Sequence, residues 1–266
     1  IRLDKGECMR ISAEQIKENW SELQKTIDEN FEGERLEKIK ALHEHFQERM
    51  TLAPASGRAW YHNAFPGGYV AHVLNIIQWS LSYYELFKAQ GMYVDDISKE
   101  SVVFAAMFHD LGKIGNMEDD YYSPNKDEWR AKKLQEYYNH NPAIHYMTVT
   151  DRAIWILNQF GIKMTINEVL GIKLADGMYD DGNIQYLKSY APEKKLKSNM
   201  PLIIHQADMA TTRIEYELNM KLEREEEQKT RQSVEKIKDA VTTEEVTKQL
   251  SEKSKDLFEE LFGEAS

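Results

Sequence analysis

The spacing of apolar residues over the first fifty positions is the strongest constraint on the fold. Ile16, Trp20, Leu23, Ile27, Phe31, Leu36, Ile39, Leu42 and Phe46 recur at intervals of mostly three or four, with charged residues between them. That period lines one face of a helix, whereas a strand exposes alternate faces every second residue. Gly33 interrupts the pattern, so the helical stretch over residues 12–50 is expected to break there. Helix periodicity returns over residues 69–87, 101–111, 126–138, 150–160, 166–175 and 201 to about 241, and no segment alternates as a strand would. The expected fold is therefore all-α, a helical bundle. Its stretch 101–111, with Val102, Val103, Phe104, Ala105, Ala106, Met107 and Phe108, is apolar on every side and should be buried.

A chain of 266 residues that is 41% hydrophobic can bury one sizeable core. Pro54, Gly57, Pro66, Gly67 and Gly68 make residues 51–68 a loop, which carries Arg58, Trp60, Tyr61 and His62. Three segments follow: an N-terminal helical segment 1–50, a central domain 51–215 and an acidic C-terminal helical extension 216–266. Residues 1–8 read as lying upstream of a natural start at Met9, with a helix cap at Ser12. In the extension, Val234, Ile237 and Val241 form a thin apolar stripe. Thr242 and Glu245 suit a capping box for a last helix bearing Val246, Leu250, Leu257 and Leu261. Two readings of these helices stay open: a solvated pair folded back on the core, or a surface that pairs with a partner or makes a homo-oligomer.

The formal charge of −11 removes the average attraction that drives wholesale nucleic-acid binding, leaving room only for a local basic pocket. Cys8 is the single cysteine, which excludes an internal disulfide and a cysteine-rich zinc site and fits a reducing, cytoplasmic compartment. No run approaches the roughly 18 apolar residues of a membrane helix, so no membrane is expected as a partner. A metal would have to sit on His, Asp and Glu.

Of eight histidines, His43 and His45 lie in a charged stretch and are expected on the surface. The informative run is Phe108-His109-Asp110-Leu111-Gly112-Lys113. An imidazole and a carboxylate at the end of a buried helix need compensation, which a divalent metal supplies most economically and a helix-capping role supplies otherwise. His72 follows the turn Pro66-Gly67-Gly68, and Asp208 lies in Ile203-Ile204-His205-Gln206-Ala207-Asp208. The ordered set His, His-Asp, Asp, with Gly112 and Lys113, resembles the HD superfamily of metal-dependent phosphohydrolases over about residues 58–215. The run from Tyr61 to His72 is similar to the opening motif of HD domains in bacterial 3′-to-5′ exoribonucleases and related phage and plasmid proteins.

The resemblance implies that His72, His109, Asp110 and Asp208 bind metal and that Lys113 lies near a substrate phosphate. Such ligands suit Mn²⁺, Fe²⁺, Co²⁺, Ni²⁺ or Zn²⁺. A metal so held lowers the pKa of a bound water toward about 7 and stabilises phosphate oxygens. Asp110 would then orient or deprotonate that water, and Lys113 would neutralise charge on the phosphoryl group. Arg58 and His62 are the candidates for substrate phosphate contact. One metal is expected. Dinuclear relatives carry further histidines, for which only His140 and His145 are present between Asp110 and Asp208, and Ala175 stands where another would fall. Asp176 could substitute as an oxygen ligand, and His205, three residues before Asp208, could support it from behind. Two readings of the aromatic residues between 116 and 130 stay open: ordinary packing within their loop, or stacking surfaces for a base.

The expected activity is hydrolysis of a phosphate ester in a nucleotide or a short single-stranded nucleic acid. Two alternatives stay open: a diiron oxygenase of a small organic substrate, and a non-catalytic HD sensor or adaptor.

Overall fold

A computed structural model describes residues 11–189 and 191–240 of the chain. Ser12 opens the first helix, its Oγ accepting a hydrogen bond from the Gln15 amide at 3.1 Å. Three helices follow in quick succession: α1 (Ala13–Asn30), α2 (Gly33–His45) and α3 (Gln47–Leu52). The break falls at Gly33, as the sequence predicts, because φ there is +57°. Ile16, Leu23, Ile27, Ile39 and Leu42 turn inward, so the three-to-four spacing is the buried stripe.

That stripe packs on α4 (Gly68–Ala89), which pairs with α5 (Lys99–Phe108) at the centre of the molecule. Every residue of α5 from Ser101 to Phe108 is buried. An all-apolar helix survives only where neighbours cover it on all sides, here α4, the N-terminal helices and α8 (defined below). Beyond α5 come a 3₁₀ turn at Leu111–Ile114, strand β1 (Tyr122–Pro124), α6 (Glu128–Lys133) and strand β2 (Tyr138–His140). α7 (Val149–Gln159) packs on the 3₁₀ turn, and α8 (Ile166–Lys173) packs on α5 and α7. Two further 3₁₀ turns lead to α9 (Ile184–Leu187) and to the long helix α10 (Met200–Ala240), whose Met200, Ile203 and Ile204 complete the core. Residues of α1 and α2 share that core with α4, α5, α7 and α10.

The fold is all-α apart from one small hairpin, in which β1 and β2 pair antiparallel with Tyr122 opposite His140. Here the structure departs from the expected helix over 126–138. α6 covers only Glu128–Lys133 and buries none of its residues, so nothing rewards its extension. The chain turns at Gln135, with φ +47°, and re-enters an extended conformation. Strands of three residues are too short to display alternation. His43 is a second departure. It is 2% exposed, set against Trp20 and Phe108, with Nδ1 2.9 Å from the Ile39 carbonyl. Charged neighbours in sequence hid a position on the inner face of α2.

The chain divides into two units, Ile1–Glu217 and Leu218–Ser266. Every residue of the candidate site belongs to the first. In the second unit, the described residues continue α10. Residues 1–8, the Thr242–Glu245 capping box and the expected last helix lie outside the described residues. No helix among the described residues is long and apolar enough to cross a membrane.

Candidate metal centre

Four elements deliver the site. The loop before α4 folds tightly on itself. Gly67 takes φ +82°, and a Cβ on Gly68 would lie 2.1 Å from the Asn63 carbonyl oxygen, so neither position tolerates a side chain. This fixes the start of α4 and places His72 one turn in, fully buried. α5 ends at His109, whose Nδ1 lies 2.8 Å from the Ala106 carbonyl. A carbonyl only accepts, so that nitrogen carries the proton and the Nε2 lone pair faces the site. Asp110 begins the following turn, and α10 brings Asp208 across from the far side of the sequence.

The side chains expected from the sequence as a metal set converge. His72 Nε2 lies 3.6 Å from Asp110 Oδ2 and 3.4 Å from Asp208 Oδ1; His109 Nε2 lies 3.5 and 3.9 Å from the same two oxygens. These separations exceed good hydrogen bonds. Both Nε2 atoms are buried without a hydrogen-bond partner. Buried nitrogens without partners beside two carboxylate oxygens form a donor set of a kind that could hold a cation. Ring nitrogens of His72 and His109 and an oxygen of Asp208 lie within 4.8 Å of one another and could hold a metal ion. A second such triad is His62, His72 and Asp110.

The electrostatics agree with that chemistry. Burial disfavours charge on His72, but Glu215 and Asp208 outweigh it and push its pKa up to about 10. Burial likewise works against the Asp208 carboxylate, yet His72, His109 and Lys113 hold it well below the usual carboxylate range. The pocket thus stabilises positive charge at its centre. Lys113 stands over it, Nζ 2.5 Å from Asp110 Oδ2. Against the pull of burial, Asp110 first and then Tyr122 and Asp208 keep its ammonium charged. Asp176, also on the wall, has its carboxyl pushed up by burial and by Asp110.

A cavity of about 1480 Å³ opens above these groups. Its walls include Arg58, His62, Lys113, His140, Asp176, His205 and Asp208, together with Trp60, Tyr61, Tyr122, Tyr179 and Tyr216. Arg58 pairs with Glu136 at 3.0 Å and lies over the Trp60 ring. Arg130 pairs with the other oxygen of Glu136, so two guanidiniums share one carboxylate and the wall stays net positive. His140 sits apart from both metal triads, stacked on Tyr121. His145 is exposed and contributes its carbonyl to Arg152. His205 donates from Nδ1 to the Ala175 carbonyl at 2.8 Å.

Two positioning residues escaped sequence reasoning. Glu215 accepts from His72 Nδ1 at 2.9 Å and from Asn75 at 2.8 Å, fixing the ring so that Nε2 faces the site. Its spacing of seven from Asp208, two helical turns on one face, was the available signal, masked by the charged tail that follows. Arg152 is buried and donates to the carbonyls of Gly112, His145 and Met147, pinning the turn that carries Lys113. Nothing in the linear sequence marked it. No protein-family model, curated protein or solved structure matches the chain.

Proposed function

We propose that the chain is a metal-dependent phosphohydrolase of the HD type that cleaves a phosphate ester in a nucleotide or a short single-stranded nucleic acid. The observation that carries this reading is the pair of unpartnered imidazole nitrogens, on His72 and His109, facing Asp110 and Asp208 on the floor of a cavity with cationic and aromatic walls.

His72, His109, Asp110 and Asp208 would hold one divalent transition metal, with two imidazoles and two carboxylates suiting Mn, Fe, Co, Ni or Zn. When bound, such an ion supplies Lewis-acid charge and acidifies water. Lys113, held over the site by Asp110, faces the incoming phosphoryl oxygens and offsets their charge. Asp110, touching both the metal set and Lys113, accepts a hydrogen bond from the attacking water. Arg58 lies at the wall, where its planar fork suits a second phosphate. Trp60, Tyr61 and Tyr179 expose ring faces that suit a base. In the reaction, water oxygen bonds to phosphorus, the ester P–O bond breaks, and the leaving alcohol gains a proton. The cytoplasm is the compartment that fits the lone Cys8.

Elemental analysis of the unchelated protein, run beside dNTPs, NMPs, cyclic nucleotides and short single strands with Mn²⁺ or Co²⁺, tests the reading. One transition metal per chain with release of phosphate or nucleoside is expected. Two irons per chain and oxygen uptake without hydrolysis would replace it by the diiron oxygenase, and neither metal nor turnover by the adaptor. Lys113→Ala should slow turnover while metal content stays near one per chain.

A further inference from the structure

His62 is the buried histidine whose role the phosphohydrolase reading leaves open. It sits in the loop before α4, yet its position is set as firmly as that of a helix residue. The Ser56 hydroxyl donates to the His62 carbonyl at 2.6 Å and accepts from the His62 amide at 3.5 Å. The next residue, Asn63, takes φ +40°, and its carbonyl accepts from the Ala55 amide at 3.0 Å. The backbone therefore aims the ring, and the ring makes no hydrogen bond through Nε2, which is buried.

The ring points to the site floor. Its centroid is 4.5 Å from that of His72, closer than the 5.6 Å between His72 and His109. A ring nitrogen of His62, one of His72 and a carboxylate oxygen of Asp110 lie within 4.8 Å of one another, a span that one ion can bridge. This triad shares His72 with the His72, His109 and Asp208 triad. A ring placed to touch only substrate phosphate would gain from standing clear of the donor set; this one is packed against it. An imidazole beside a carboxylate and a second imidazole is a ligand by chemical type.

We infer that His62 is a direct ligand of the cation, a third imidazole beside His72 and His109. The inference rests on the reading that these residues and the two aspartates hold a cation. It moves His62 from the substrate phosphate, where the sequence placed it, to the metal.

The test uses the full chain stripped with a chelator and reloaded with Co²⁺ or Cu²⁺ alone. Competition against a chromogenic chelator gives the Co²⁺ affinity of the wild type, His62→Gln, His62→Phe and His109→Gln. Pulsed EPR of the Cu²⁺ form counts the coupled imidazoles. Three imidazoles in the wild type are expected, together with a loss of at least about tenfold in Co²⁺ affinity for both His62 variants. Thermal unfolding of the stripped variants checks that they fold, and the wild-type count decides if they do not. Two imidazoles in the wild type, or unchanged affinity in folded His62 variants while His109→Gln is weakened, would overturn the His62 assignment and leave the cation site standing. If the wild type takes up neither ion, the cation reading itself fails, and the His62 assignment with it.

Discussion

Two buried clusters in this protein are built from similar ingredients and come out differently. Where α2, α5 and α8 meet, Glu168 is fully buried and each of its oxygens is engaged. Oε1 takes the Ser101 hydroxyl at 2.8 Å and the Arg35 guanidinium at 2.8 Å, and Oε2 takes the Thr165 amide at 2.8 Å. Arg35 in turn lies 4.1 Å above the Phe104 ring and reaches Glu100. Both oxygens of Glu168 are thus paired, although Arg35 Nε stays buried without a hydrogen-bond partner. At the other cluster, His72, His109, Asp110 and Asp208 converge without closing, and two imidazole nitrogens find no partner. A buried polar group without a partner forfeits about 1–3 kcal/mol. The difference lies in what the unpartnered atoms face: the two imidazole nitrogens stand beside two carboxylate oxygens, a set that could hold a metal ion.

The comparison breaks most visibly at the ligands. On the proposed reading, His109→Ala and Asp208→Ala should each abolish metal uptake and reduce turnover by at least about a hundredfold, with the metal-free variants no less stable to heat than the metal-free wild type. Metal content beside a melting curve reads both effects, and wild-type turnover in either variant would sink the site. Glu168→Ala should show the reverse pattern. Stranding the Arg35 guanidinium against the core should destabilise the fold by about 3 kcal/mol in urea unfolding while metal uptake stays unchanged. Glu215→Gln sharpens the contrast more finely: it keeps one acceptor for His72 Nδ1 but removes the charge behind it. A loss of about tenfold in metal affinity is expected, measurable by chelator competition.

The smallest effect concerns His43, a buried histidine of the structural kind. Burial pushes its pKa down to about 4, against the 6.5 of an exposed imidazole, with the Ile39 carbonyl opposing weakly. The unfolded chain therefore takes up a proton that the fold refuses. The stability associated with neutral His43 is complete above about pH 6.5 and falls as the pH drops toward 4, by at most about 1.4 kcal/mol per unit. His43→Phe should flatten that part of the acid dependence, seen as a smaller shift in urea midpoint between pH 6 and 5 than the wild type shows.

Helix periodicity made α1, α2, α4, α5, α7, α8 and the start of α10 legible because each buries a stripe or a whole surface, and burial writes itself into residue spacing. The hairpin β1–β2 was not legible. Its three-residue strands are held by backbone bonds and are too short to leave a pattern in side-chain spacing. The candidate ligands His72, His109, Asp110 and Asp208 stood out in the sequence by order and resemblance, whereas Glu215 and Arg152 did not, since an acid in a charged helix and a lone arginine resemble their solvated neighbours. His43 and His62 show the same limit from the other side: two histidines of one type, one closed into the core and one aimed at the donor set.

The sequence by itself determined a predominantly helical fold with a wholly buried central segment and a set of imidazoles and carboxylates suited to a metal, because periodicity and residue type are local properties. Only the tertiary structure decided which of those groups share a point in space, which nitrogen of each ring is already engaged, and that α10 carries both Asp208 and the Glu215 that orients His72 from 143 positions away. Distances across the fold arise from packing, and packing satisfies polar groups one geometry at a time.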